Sequence, residues 1–246
     1  MWKFFITFFL LYTSVNAAVV DHSIIVYNVD THTVVKEQNS NTVRPIASIT
    51  KLMTAIVALE HYNLDQKIII KGHQSVTVGT LLTSLLVRSD NQAAEILAKN
   101  YPGGRSAFIS VMNAKAKMYN LSNTKFIDPS GLGVFNTSTA IEVANLVNIA
   151  SEYEFVRTVS SQPEIYTVVK TKYGYKQQPV YNHTSKELLV EFDNILLSKT
   201  GYTSQAGRCI TMMIEQNNQK QIIVILGEPS KQKRDNLVRQ LIAQNS

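Results

Sequence analysis

One cysteine, Cys209, is all that the 246-residue chain carries. An internal disulfide is therefore excluded, and no disulfide framework supports the fold. Cys209 sits in the apolar run Cys209-Ile210-Thr211-Met212-Met213-Ile214 and reads as a buried strand residue, not a reactive thiol. Long hydrophobic runs are missing too. The N-terminal apolar stretch from Phe4 to Tyr12 falls short of the roughly 20 residues a spanning helix needs. Acidic residues are the minority, 18 against 24 Lys and Arg, for a net charge of +6. Yet no dense Lys/Arg stripe with interleaved aromatics accompanies that charge, which argues against nucleic acid as a partner. His22, His32, His61, His73 and His183 show no paired metal-ligand spacing. Each reads as a surface or capping residue, and no metal or organic cofactor is implied. Repeats and low-complexity tracts are absent as well.

What is present begins at the N-terminus. Lys3 precedes the apolar run, and small residues follow, with Val15 and Ala17 at −3 and −1 of a cleavage point after Ala17. Charge, short apolar core and small residues form a secretory signal. Residues 1–17 are expected to direct export and to be removed, leaving 18–246 as a single domain with an ordinary globular composition.

Residues 23–28 read as a strand that returns through Asp30-Thr31-His32 along Thr33-Val34-Val35, a hairpin. The nearly continuous apolar segment Leu52 to Leu59 predicts a buried helix with Ser48 at its start. Helical patterning from about Val78 to Ala98 is broken at Arg88-Ser89-Asp90-Asn91. Further helices are expected from about Arg105 to Tyr119 and from Thr139 to Ile149, with a turn at Asp128-Pro129-Ser130-Gly131 between them. The last third reads as strands near 165–171, 195–200, 207–215 and 221–226, with a tight turn at Asn217-Asn218. Ser230 is placed to cap a final helix burying Leu237, Val238, Leu241 and Ile242, with Lys231, Lys233 and Arg234 on a solvated basic face. Helices thus interrupt a sheet built from both chain ends, an α+β domain with the N-terminal hairpin beside the C-terminal strands.

Three short motifs carry chemistry. In Ser48-Ile49-Thr50-Lys51, positions i and i+3 share a helical face, and the helix dipole favours negative charge developing on the serine oxygen. A serine nucleophile needs a base, and a lysine serves if its ammonium is neutralised. Ser89-Asp90-Asn91 offers a hydroxyl that relays a proton and an amide that both donates and accepts. Lys199-Thr200-Gly201 follows a strand. Its glycine allows close backbone approach, and its lysine and threonine suit a carboxylate. If Lys199 faces Lys51, repulsion between the two ammoniums and burial both lower the pKa of Lys51.

Taken in order, Ser-x-x-Lys, Ser-x-Asn and Lys-Thr-Gly resemble the signature of penicillin-binding proteins and serine β-lactamases. The flanks of Ser48, from Arg44 to Ala55, are similar to the low-molecular-mass D-alanyl-D-alanine peptidases. So are Met112 to Lys117, Asp128 to Leu132, Ser138 to Ala140 and Lys199 to Tyr202. The resemblance implies a transpeptidase/β-lactamase-like fold, a central antiparallel sheet flanked by helices. It implies Ser48 as nucleophile, Lys51 as base and Ser89 as proton relay, with Asn91, Lys199, Thr200, Gly201 and Tyr202 binding substrate. The backbone N–H groups of Ser48 and Tyr202 would form the oxyanion hole. Substrates would be the stem peptides and crosslinks of peptidoglycan, β-lactam antibiotics would be covalent inhibitors, and the location would be periplasmic, with no stable membrane anchor. Tyr101 to Gly104 and Ala206 to Cys209 most resemble the branch that cuts crosslinks, as does the lack of a further C-terminal β-domain and membrane helix. The stretch between Lys51 and Ser89 is shorter than the resemblance leads one to expect, at a place expected to border the substrate groove.

Three other activities share these motifs. A D-alanyl-D-alanine carboxypeptidase would trim pentapeptides. A class A β-lactamase needs a glutamate acting through water, and Glu142-Val143-Ala144-Asn145 does not match that loop. A non-catalytic wall or β-lactam binder would be expected to have lost the nucleophile or base, and both are kept.

Overall fold

In the computed structural model, which describes residues 22–71, 74–171, 174–184 and 186–244, both chain ends share one sheet. β1 (Ser23–Asn28) and β2 (Thr33–Gln38) form the expected hairpin, and short β3 (Arg44–Pro45) leads to a 3-10 turn, Ala47–Thr50. α1 (Lys51–His61) follows, then β4 (Lys67–Lys71), β5 (Gln74–Thr77), α2 (Val78–Val87), α3 (Asn91–Lys99) and α4 (Gly104–Met118). Next come β6 (Thr137–Ser138), α5 (Ala140–Ser151), α6 (Glu154–Ser160), β7 (Glu164–Thr171), β8 (Gly174–Tyr181) and α7 (Lys186–Glu191). The chain closes with β9 (Ile195–Thr203), β10 (Gly207–Gln216), β11 (Gln219–Glu228) and α8 (Lys231–Gln244). The proposed export segment, residues 1–17, and His73 lie outside the described residues.

The main sheet is antiparallel in the order β2-β1-β11-β10-β9. Its central strands are apolar at nearly every position because both faces are covered. Ile222, Val224 and Leu226 of β11 meet the large helical layer built on α1, α2 and α5. Ile223 and Ile225 turn to the other face and pack with Val238, Leu241 and Ile242 of α8. Continuous burial replaces the alternation expected of a half-exposed strand. Asn217 and Asn218 both take positive φ, 53° and 57°, which a two-residue turn between twisted strands requires.

Three differences from the sequence expectation follow from local physics. β5 and β8 are missed because Gln74–Thr77 and Gly174–Tyr181 have little apolar alternation, and β4 because its run of three isoleucines is too short to show a period. Ser48 lies in a 3-10 turn that the chain enters through Ala47 at positive φ, 45°, and α1 starts only at Lys51. Arg234 is not part of a solvated basic face. It is 4% exposed, with Nε and Nη2 both donating to Asp235 Oδ1 at 2.9 and 2.6 Å. The predicted cap of α8 is present, Lys233 N–H donating to Ser230 Oγ at 3.2 Å.

Candidate active site

The 3-10 turn bearing Ser48 is pressed against edge strand β9, and glycine makes this possible. A Cβ on Gly201 would stand 2.9 Å from Ser48 N and 3.0 Å from Ile46 O, closer than a side chain tolerates. Behind the turn, Lys51 projects from the first residue of α1 and is fully buried. Its Nζ lies 2.8 Å from Ser48 Oγ, 2.7 Å from Asn91 Oδ1 and 2.6 Å from the carbonyl oxygen of Ser130.

The Ser130 carbonyl is held by the turn that the sequence marks at Asp128-Pro129-Ser130-Gly131. Asp128 Oδ1 accepts from Ser130 N, Ser130 Oγ and Gly131 N at 2.7, 2.8 and 2.6 Å. Thr54 Oγ1 donates to Pro129 O at 2.5 Å, and Asn136 Nδ2 ties Asp128 O to Thr50 Oγ1. Gly131 has φ +75°, and a Cβ there would meet Ala47 O at 1.8 Å. This turn therefore depends on glycine both for backbone conformation and for packing under the nucleophile's own turn.

Ser89 and Asn91 come from the break between α2 and α3. Asp90 caps α3 through Oδ1, which accepts from Gln92 N and Ala93 N at 2.8 and 3.2 Å, while its Oδ2 accepts from Ser84 Oγ at 2.8 Å. That clamp holds Ser89 in left-handed backbone, φ 56°, an uncommon state for a residue with a Cβ. Lys199, buried on β9, donates to Ser89 Oγ and to Thr200 O, both at 2.9 Å.

Burial lowers the pKa of Lys51 to about 7, against a partial opposing pull from Asp128 and Asp90. The Lys199 pKa is lowered well below the ordinary lysine range, by burial first and by the charge of Lys51 second. This corrects the sequence expectation: burial, and not the charge of Lys199, brings Lys51 down. Both lysines are pushed toward the neutral amine.

Ser48, Ser89, Asn91, Thr200, Gly201 and Tyr202 line one cavity of about 330 Å³. Lys51 and Lys199 reach it from behind through Ser48 and Ser89. All eight residues singled out in the sequence are therefore brought together. The cavity also takes Gly131, Leu132, His183, Arg208, Lys231 and Arg234, which the motifs do not point to. His183 is exposed at the mouth, its pKa lowered by partial burial and by the charges of Lys199, Arg88 and Lys51. Among the described residues, no lining residue comes from the stretch 52–88, which was expected to border the groove. No group of three His, Cys, Asp or Glu residues that could hold a metal occurs among the described residues.

A cavity-lining serine against a buried lysine, a strained Ser-x-Asn corner and a Lys-Thr-Gly edge strand around one cavity can support acyl transfer without a cofactor. Comparison with known proteins agrees with that chemistry. The family model described as D-alanyl-D-alanine carboxypeptidase matches residues 12–71 and 62–230. A D-alanyl-D-alanine endopeptidase of Escherichia coli is 33% identical over 231 residues, spanning 87% of this chain and 73% of that protein. Another, of Pseudomonas aeruginosa, is 35% identical over 83% of this chain and 70% of its own length. Among solved structures, a variant of a Streptomyces DD-transpeptidase superposes with a TM-score of 0.82 at 26% identity, covering 90% of this chain and 95% of that one. A penicillin-binding protein of Listeria monocytogenes in its cefotaxime-bound form gives 0.76 at 27% identity, with the same coverage. With that match along most of its length and this site geometry, the chain belongs to the D-alanyl-D-alanine carboxypeptidase family of serine-type D,D-peptidases.

Proposed function

We propose that the protein is exported by its N-terminal segment as a single catalytic domain, and there hydrolyses D-alanyl crosslinks of peptidoglycan through an acyl-enzyme on Ser48. The observation that carries the mechanism is the threefold environment of Lys51 Nζ. A neutral amine has two N–H donors and one lone pair. Asn91 Oδ1 and Ser130 O can only accept, so they take the two N–H groups. The lone pair is left facing Ser48 Oγ, 2.8 Å away, where it accepts the hydroxyl proton.

Ser48 Oγ attacks the D-alanyl carbonyl carbon as its proton passes to Lys51. The backbone N–H groups of Ser48 and Tyr202 stabilise the tetrahedral oxyanion, a pairing favoured by the close approach of Gly201 to the Ser48 turn. Collapse breaks the C–N bond. Ser89 passes a proton to the leaving amine, and its Oγ already accepts from Lys199, so its own hydrogen is free to point into the cavity. Lys199 and Thr200 hold the carboxylate beside the cut bond, and Asn91 orients the acyl chain. Water then adds to the ester by the same path, releasing the acid and restoring Ser48. β-Lactams acylate the same serine, and a periplasmic site of action follows from export together with a cell-wall substrate. The two relatives named as endopeptidases favour crosslink cleavage over trimming of pentapeptides.

Digestion of purified crosslinked muropeptides by the wild-type protein and by Ser48→Ala, read by mass, tests this. Dimers are expected to become monomers with wild type only. Loss of a terminal D-alanine alone would make the protein a carboxypeptidase, and an unchanged digest would refute the hydrolytic reading.

A further inference from the structure

Three cations line the cavity on its α8 side, Arg208, Lys231 and Arg234, and their pairing differs. Arg234 is buried against Asp235. Lys231 is exposed, with Glu187 at 3.3 Å. Arg208 is bound by stacking alone. Its guanidinium lies over the Tyr202 ring, 3.6 Å from the centroid, and makes no hydrogen bond or ion pair among the described residues.

The stacking follows from register. Arg208 on β10 and Tyr202 on β9 are cross-strand partners, so their side chains leave the sheet on one face, the face that carries Thr200 two residues earlier. Tyr202 is 53% exposed and serves as a shelf for the planar group. A guanidinium held by an aromatic face keeps its five N–H donors for another partner. Its fork matches the two oxygens of a carboxylate, and a cavity wall is where such a partner would arrive. The carboxylate beside the cut bond is already served by Lys199 and Thr200. Arg208, farther along the same face, is available to a different one.

We infer that Arg208, flanked by Lys231, binds a second carboxylate carried by the leaving group, and thereby favours peptide leaving groups over a single departing D-alanine. A single amino acid brings one carboxylate and leaves Arg208 unpaired. The leaving half of a crosslink is itself a peptide and brings further acid groups, at its own C-terminus or on its side chains. The inference rests on the D,D-peptidase reading above and adds a residue that sets its substrate preference.

Two synthetic substrates test it. They share one acyl-D-alanyl half and one dipeptide leaving group, whose second carboxylate is free in one and amidated in the other. For wild type, kcat/KM is expected to be roughly tenfold higher on the free acid, the scale of one charge-assisted hydrogen bond, with most of the difference in KM. In Arg208→Gln the ratio should fall toward one, and in Arg208→Lys, which keeps the charge without the fork, it should lie between. Because each ratio is taken within one protein sample, partial loss of folded enzyme cancels. A wild-type ratio near one would overturn the inference without any variant, and an unchanged ratio in Arg208→Gln would remove Arg208 from it. Cleavage of neither substrate by wild type would instead strike the D,D-peptidase reading on which the inference stands.

Discussion

Two lysines, each buried within about 1% exposure, stand behind the same cavity and are held differently. Lys51 is surrounded on three sides, by Ser48 Oγ, Asn91 Oδ1 and Ser130 O. Lys199 bonds Ser89 Oγ and its own strand neighbour's carbonyl. Burial lowers the pKa of both, but Asp128 and Asp90 partly restrain Lys51, whereas the charge of Lys51 pushes Lys199 down further. Lys51 therefore stops at about 7, where a base working near neutrality is most useful. Among the described residues Lys199 has no counter-charge of its own, and a substrate carboxylate would supply one. Desolvation alone makes a lysine neutral. The acceptors around it decide whether its lone pair or its proton is offered to the substrate.

The largest effect expected from this contrast is on acylation. Lys51→Ala should slow labelling by a fluorescent penicillin by about 10³-fold, the scale of a lost general base. Lys199→Ala should act more on KM for a carboxylate-bearing substrate than on kcat. Equal losses in both variants, with the same split, would erase the distinction. Next is the support of the Ser130 carbonyl. Asp128→Ala leaves Ser130 N, Ser130 Oγ and Gly131 N without their acceptor. We expect a cost of about 3 kcal/mol, given roughly 1–3 kcal/mol per buried group left unsatisfied, measured by urea unfolding. The acylation limb of the surviving folded fraction should shift as well. An unchanged midpoint of unfolding would show that the turn holds itself.

Smaller is the proton balance of binding. A carboxylate placed beside Lys199 raises its pKa from the depressed value, so binding should draw a fraction of a proton from buffer near neutral pH. Titration calorimetry of Ser48→Ala with an uncleaved peptide, in buffers of different ionisation enthalpy, reads this directly. Proton release would contradict the assignment of Lys199. Smallest is a control on burial itself. Cys209 is fully buried with its pKa pushed up to about 11, so it should resist a thiol reagent in the folded protein and react once unfolded. Rapid labelling of the native protein would mean that the β10 core opens readily.

Much of this site was legible in the sequence. Ser48, Lys51, Ser89, Asn91, Lys199, Thr200 and Gly201 act through side chains, or through the lack of one, at fixed spacings, and those spacings survive into the fold. The Ser130 carbonyl was not legible as a ligand of Lys51, since every residue has a carbonyl. Only the turn around it, with Asp128 and Gly131, left a trace. Arg208 and Arg234 were missed for another reason. They meet the cavity through strand register and through packing of α8, relations that join positions far apart in the chain. The main sheet was readable because β9, β10 and β11 are rich in β-branched and long apolar residues. The hairpin of β7 and β8 was only half seen, since its second strand, Gly174–Tyr181, is mostly polar.

The central claim is that neutral Lys51 takes the proton of Ser48. Its most direct test is the rate of acylation by a β-lactam as a function of pH, followed on the wild-type protein. The neutral fraction of Lys51 grows as pH rises through its pKa, so the rate should climb along a single acidic limb with a midpoint near 7, and the limb should vanish in Lys51→Ala. A rate that stays flat from about two units below that midpoint to about two above it would mean that another group, or none, serves as the base.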